Sequence, residues 1–267
     1  MNPEVREAKN ILEIRGLTRN FGGLIAVSDL DLSVRTGEFF GLIGPNGSGK
    51  TTVFNLLSGV IPPTSGKMSF KDTDITHTPS HAIARMGLAR TFQMTALFHS
   101  FSVLENILLG MYGIARVNPL AALFNTQKVR AKEREQRDRA LAILSFLGIE
   151  RLRDEVARNL PLGHQRILEL AVALASVPKM LLLDEPFSGL SFEESREMIA
   201  HIRKIRERKT TVMLVEHKMR IVMDLCDRIA VLNFGRKIAE GTFEQVSRDP
   251  EVIRAYLGAK RYAAGRS

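Results

Sequence analysis

The chain has 267 residues, 45% hydrophobic and 25% charged, enough for one sizeable α/β domain and close to the globular average. Disordered, collagen-like and membrane-spanning classes are therefore disfavoured. A formal charge of +9 suits an anionic partner, whether nucleic acid, phospholipid head groups or the phosphates of a nucleotide.

Short runs with alternating polarity predict strands over 11–14 and 30–34, and a third strand covers 39–43. Directly after it comes Gly44-Pro45-Asn46-Gly47-Ser48-Gly49-Lys50-Thr51, a complete G-x-x-x-x-G-K-[ST] between an apolar strand and a helical stretch. Glycines let such a loop turn its N–H groups inward around phosphates. Lys50 then supplies a point charge to the β and γ phosphates, and Thr51 a hydroxyl to Mg²⁺. A plain Gly-rich turn explains this string poorly.

The stretch from 79 to 176 reads as mainly helical, with an irregular inserted loop at 111–127 around Pro119. A helix over 129–147 carries Glu133/Arg137 and Glu135/Arg139 at i,i+4 spacing, and Gly148 is its stop signal. Continuous apolar runs at 180–183 and 211–215 predict strands covered on both faces of a parallel sheet. The first ends in Asp184-Glu185, where Asp184 can anchor Mg²⁺ and Glu185 can act as general base on an attacking water. The basic residues of 128–139, 203–206 and 260–261 read as mixed charged helix faces, not as a nucleic-acid stripe. Cys226, the single cysteine, sits in an apolar run and reads as a small buried hydrophobe. With no long apolar run and no apolar signal core at its start, the chain is expected in the cytoplasm.

The phosphate loop and paired acids would fit many NTPases, but further segments follow a more specific order. Asn20-Phe21-Gly22, Arg90-Thr91-Phe92-Gln93, Leu160-Pro161-Leu162-Gly163-His164-Gln165, Ser188-Gly189-Leu190-Ser191 and Val215-Glu216-His217 span nearly the whole length. In that order the chain resembles the ABC ATPases. The resemblance implies an α/β P-loop NTPase of the ABC type: a RecA-like core, an antiparallel β subdomain and an α-helical subdomain bearing the signature. It implies one domain over 1–267, with core at 8–78 and 177–248, helical subdomain at about 79–176, insertion at about 111–140 and a helical tail at 249–267.

By the same resemblance, Phe21 stacks on adenine, and Thr52 joins Gly44 to Thr51 in binding nucleotide. Gln93 reaches the Mg²⁺ and the attacking water beside Thr51 and Asp184, and His217 contacts the γ phosphate. Glu185, His217 and Gln93 are thus the expected catalytic set, with ATP and Mg²⁺ as cofactors. Gly163 and His164 belong to a signature that serves the ATP of a second subunit. Two departures stand out: Pro161 lacks the hydroxyl and N–H of the usual serine, and Ser191 replaces the usual acid. The complete catalytic set beside a poor signature predicts a heterodimer with a second ABC ATPase subunit.

The segments at 52–59 and 87–93, the insertion after Gly110 and the ending at 252–258 look like the G-type ATPase of branched-chain amino acid importers. That implies permease subunits as partners, a periplasmic solute-binding protein further off, and a place on the cytoplasmic face of the inner membrane. Branched-chain amino acids lead as solute, with urea, short amides and aromatic acids open. Two alternatives are a soluble ABC ATPase acting on ribosome or nucleic acid, and a regulatory nucleotide-binding subunit. The single phosphate loop disfavours the first, and the presence of both Glu185 and His217 the second.

Overall fold

The computed structural model describes residues 9–91, 97–112 and 127–256. Its larger sheet has the order β10-β9-β3-β8-β7-β6, formed by β3 (Phe39–Ile43), β6 (Leu88–Thr91), β7 (Met180–Asp184), β8 (Thr211–Val215), β9 (Arg228–Asn233) and β10 (Arg236–Gly241). All neighbours from β9 to β6 run parallel, and only β10 is antiparallel to its neighbour. Every residue of β3, β7 and β8 is buried, as expected for strands covered on both faces.

The pleat sends alternate residues of these strands to different cores. Phe39, Leu181, Leu183, Val212 and Leu214 pack with the helical side. Phe40, Leu42, Met180, Leu182, Met213 and Val215 pack against the second sheet and α1 (Lys50–Leu57). Burying a leucine such as Leu182 completely contributes about 1.5–3 kcal/mol.

The second sheet is antiparallel, in the order β2-β1-β4-β5, from β1 (Asn10–Phe21), β2 (Leu24–Arg35), β4 (Ser65–Phe70) and β5 (Thr73–Asp74). The strands predicted at 11–14 and 30–34 are parts of two twelve-residue strands. Register shifts between Ile14 and Asn20 break the alternation, so the period-two signal covers only part of each strand.

The helical lobe packs α3 (Val103–Tyr112), α4 (Gln127–Phe146) and α5 (Leu162–Ala175) around Ile107, Leu144, Leu168 and Ala171. Two sequence expectations are corrected here. Met111, assigned to the inserted loop, is helical and buried. Within the stretch read as helical, Leu88–Thr91 forms β6 and pairs with β7 in the core sheet, and four residues are too few to display a period. Short α2 (Ser80–Arg85) precedes it. Residues 113–126, which hold most of the loop expected at 111–127, lie outside the described residues.

Helix α4 ends at Phe146, and just beyond it Gly148 turns at φ 68° while the Ile149 N–H donates to the Leu144 carbonyl at 2.9 Å. Of the two i,i+4 pairs, Glu135–Arg139 closes at 3.4 Å and Glu133–Arg137 forms no ion pair. After β7 come α6 (Phe192–Glu207), α7 (Met219–Leu225), the β9–β10 hairpin and α8 (Phe243–Ser247), with residues 250–256 again helical. Val246 and Val252 cover Ile43, Val222, Ile229 and Val231, so the last described helical segments pack behind the start of the phosphate loop. Cys226 contacts the same cluster, and burial pushes its thiol up to about 12. That chemistry suits an inert packing residue.

Candidate active site

The strand order decides which loops meet. Leu42 of β3 lies level with Val215 of β8, and Val215 level with Asp184 of β7. The loop after β3, the acids ending β7 and the residues just past β8 therefore share one crevice at the carboxyl ends of the parallel strands, where α/β sheets bind ligands.

In the loop, Gly44 and Gly49 have φ of 150° and 105°. A Cβ on either would strike a backbone carbonyl, that of Leu232 or of Ala26 respectively. The β1–β2 hairpin thus abuts the base of the loop, and the Gly235 N–H of the β9–β10 turn donates to the Ser48 carbonyl at 2.9 Å. Lys50 is 5% exposed, and its ammonium donates to the carbonyls of Gly44 and Pro45, both at 2.9 Å. Burial lowers the lysine pKa, while the charges of Glu185 and Asp184 oppose that shift. The cation and both acids therefore share one electrostatic environment. Thr51 is exposed and Thr52 half-buried in the first turn of α1, which carries no acid there to offset its positive end.

Asp184 is almost wholly buried, and its Oδ2 accepts from Arg90 Nη2 at 2.7 Å. Its Oδ1 is buried with no hydrogen-bond partner, a position a metal or its water shell would satisfy. No group of three His, Cys, Asp or Glu side chains gathers as a metal cage among the described residues. Mg²⁺ sites commonly use one or two protein oxygens and complete the shell with water and substrate phosphates, so a full cage is not required of this crevice. Gln93, the third expected donor, lies outside the described residues.

Glu185 sits just past β7 at φ 48°, its N–H held by the Val215 carbonyl at 3.0 Å. A left-handed, non-glycine residue costs about 1–2 kcal/mol, and such strain gathers at functional sites. Its Oε1 lies 2.8 Å from His217 Nε2. Glu216 fixes the turn behind, its Oε1 accepting from the N–H groups of His217 and Lys218 at 2.9 and 3.0 Å. A carboxylate so oriented, next to a lysine-lined phosphate loop and the buried Asp184 carboxylate, can activate a water against a terminal phosphate.

Residues 27–188 match the ABC transporter family model, and 236–261 match that of the branched-chain amino acid ATP-binding cassette transporter. The chain belongs to the ABC transporter ATPases. Members of this family hydrolyse ATP to drive transport. Similar curated proteins include the high-affinity branched-chain amino acid transport ATP-binding proteins BraF of Pseudomonas aeruginosa and LivG of Escherichia coli. BraF is 42% identical over 94% of this chain and 99% of its own length, and LivG 41% over 93% and 98%. Among solved structures, the ADP conformation of the ATP-binding cassette MJ1267 aligns with TM-score 0.83 and 32% identity, covering 94% of this chain and 99% of that one. A nucleotide-free ATP-binding cassette aligns at 0.82 and 31%, covering 93% and 99%.

Two further parts of the ABC motif set are Phe21 and the signature segment. Phe21 ends β1, 44% exposed, with the Arg19 guanidinium 4.6 Å from its ring centre. Pro161 precedes α5 and offers no side-chain cap. The Gly163 N–H donates to Glu194 Oε1 of α6 at 3.2 Å, with half-buried His164 alongside. Glu194 also forms a capping box with Ser191: its Oε2 accepts from the Ser191 N–H, and its own N–H donates to Ser191 Oγ. The Ser191 N–H, with further bonds from the Ser191 hydroxyl and Gly163, holds the Glu194 carboxyl below the usual range. The serine in place of the usual acid is therefore still an N-cap. Among the described residues no hydrogen bond or ion pair joins Pro161, Leu162, Gly163 or His164 to the phosphate loop.

Sequence reasoning missed Arg90, Asn55, Glu194 and Glu216. Arg90 lies inside the segment quoted for the family likeness, yet its partner Asp184 is 94 residues away, and no local pattern announces that pairing. No helix among the described residues is long and apolar enough to cross a membrane.

Proposed function

We propose that this ABC ATPase is the motor subunit of an importer for branched-chain amino acids, held by permease subunits at the cytoplasmic face of the membrane and paired with a second ATPase. The loop from Gly44 to Thr51 and Lys50 bind the triphosphate, with Thr52 beside them and Phe21 under the base. Thr51, Asp184 and Gln93 would hold Mg²⁺, which supplies charge neutralisation on the phosphates. Glu185 takes a proton from the attacking water, and His217 orients the carboxylate and reaches the γ phosphate. Gly163 and His164 serve the partner's nucleotide. ATP then closes the pair and hydrolysis releases it, so the solute never touches this chain.

The observation that carries this reading is the meeting of Lys50, Asp184 and the Glu185–His217 pair at three adjacent strand ends. It occurs in a chain whose relatives are named as branched-chain amino acid transport ATP-binding proteins. The test is to purify the chain from detergent-solubilised membranes with whatever subunits accompany it, then reconstitute that assembly with its binding protein in vesicles. ATP-dependent leucine uptake, competed by isoleucine and valine, is expected. Hydrolysis stimulated by urea, short amides or aromatic acids but not by leucine would overturn the solute. Co-purification with ribosomes in place of membrane subunits would overturn the transport role.

A further inference from the structure

We infer that Arg90 is a positioning residue that sets the distance between the two protein groups of the metal site, Thr51 and Asp184. The inference rests on the reading of Asp184 as metal anchor. Arg90 is buried, its side chain 6% exposed, and one guanidinium serves two elements at once. Nη2 donates to Asp184 Oδ2 at 2.7 Å, while Nη1 donates to Asn55 Oδ1 at 2.7 Å and Ser58 Oγ at 3.1 Å. The guanidinium carbon also lies 5.6 Å from the centre of the Phe54 ring.

The spacing of the gripped residues gives the arrangement its meaning. Asn55 follows Thr51 by four residues, and Ser58, the C-cap of α1, follows Asn55 by three, so the three line up along one side of the helix and its end. Arg90 thus holds the face of the helix whose first turn carries Thr51, and with its other nitrogen holds the acid at the end of β7. A planar fork can make both attachments in fixed geometry, which the point charge of a lysine cannot. It engages only one Asp184 oxygen and leaves the other, buried and without a hydrogen-bond partner, to face the metal site. A buried pair serving stability alone has no need of this division, since apolar residues of equal volume often do as well.

The assay uses the assembled complex and measures the Mg²⁺ concentration giving half-maximal hydrolysis at fixed ATP. It adds ATP affinity in EDTA and the electron paramagnetic resonance spectrum of bound Mn²⁺-nucleotide. Arg90→Gln is expected to raise the half-saturating Mg²⁺ about 10-fold or more, as loss of a group orienting a metal ligand does, with metal-free ATP binding unchanged and the Mn²⁺ spectrum altered. Arg90→Lys should recover part of the loss. The Asn55→Ala/Ser58→Ala double variant should move the Mg²⁺ dependence the same way by less, and it decides the matter if Arg90→Gln does not fold. Asp184→Asn separates this inference from the reading beneath it. If Asp184→Asn leaves the Mg²⁺ dependence unchanged, the anchor reading and this inference fall together. If Asp184→Asn shifts it while the folded Arg90 variants and the double variant do not, only the inference falls.

Discussion

The phosphate-loop helix α1 and the signature helix α5 start from similar local chemistry and end with opposite electrostatics. Neither has a side-chain N-cap, following Gly49 and Pro161 respectively, and neither carries an acid in its own first turn. Both N-termini therefore present a positive end. At α1 the Lys50 ammonium lies inside the loop on the Gly44 and Pro45 carbonyls, which strengthens the attraction for an anion. At α5 a carboxylate from the neighbouring helix, Glu194, already occupies the Gly163 N–H. What a helix end binds is decided by what the fold packs beside it, and in this chain one end is ready for phosphate while the other is partly answered from within.

The largest expected effect lies on the α1 side. Glu185→Gln should preserve ATP binding and slow hydrolysis by at least ~10²-fold, the loss expected when a positioned base is removed. Single-turnover hydrolysis by the assembled complex checks this, and an unchanged rate would take Glu185 out of the mechanism. Lys50→Ala should act on binding itself, weakening Mg-ATP about 10–100-fold through loss of charge-assisted bonds. A titration of that variant giving wild-type affinity would refute the assignment of the ammonium to the phosphates.

The comparison sharpens further if the two helix ends serve different nucleotides in a mixed pair. The chain alone should then show little cooperative ATPase activity, and the mixture with its co-purified second ATPase and membrane subunits a large gain. Glu185→Gln here should abolish most of that gain, and the same change in the partner much less. Full cooperative activity from the isolated chain would exclude the heterodimer.

The difference between the two ends was unevenly legible in the amino-acid sequence. Strands β3, β7 and β8 announce themselves because every residue in them is buried, and the loop after β3 carries its own motif. Bulges hid the full length of β1, and β6 is four residues of mixed polarity. The site divides the same way. Lys50, Thr51, Asp184 and Glu185 follow from spacing against a strand end. The Arg90–Asp184 and Glu194–Gly163 contacts join residues 94 and 31 positions apart, and only packing creates them. Pro161 reads as a lost serine, and no local pattern places a carboxylate at the same helix end.

The smallest expected effect tests that carboxylate. Glu194→Gln keeps a side chain that can close the capping box with Ser191, so α6 should retain its start. It removes the negative charge from the α5 terminus, and a charge next to a helix end is felt mainly within one turn. ATP-driven closure of the pair should therefore strengthen, by about 2–5-fold in half-saturating ATP at low salt, and the gain should shrink as salt is added. Acidity provides an independent check. The Glu194 carboxyl is held below its ordinary range, so its bonds to Ser191 and Gly163 contribute fully above the unfolded carboxylate value and are lost as pH falls through the lower folded value. Wild type and Glu194→Gln should then differ at neutral pH and converge on acidification, once the wild-type carboxyl has taken up its proton. Half-saturating ATP measured across pH for both proteins decides it. A constant offset that persists into acid would mean that Glu194 acts through packing at the Gly163 backbone, where its side chain already lies in contact, and not through its charge.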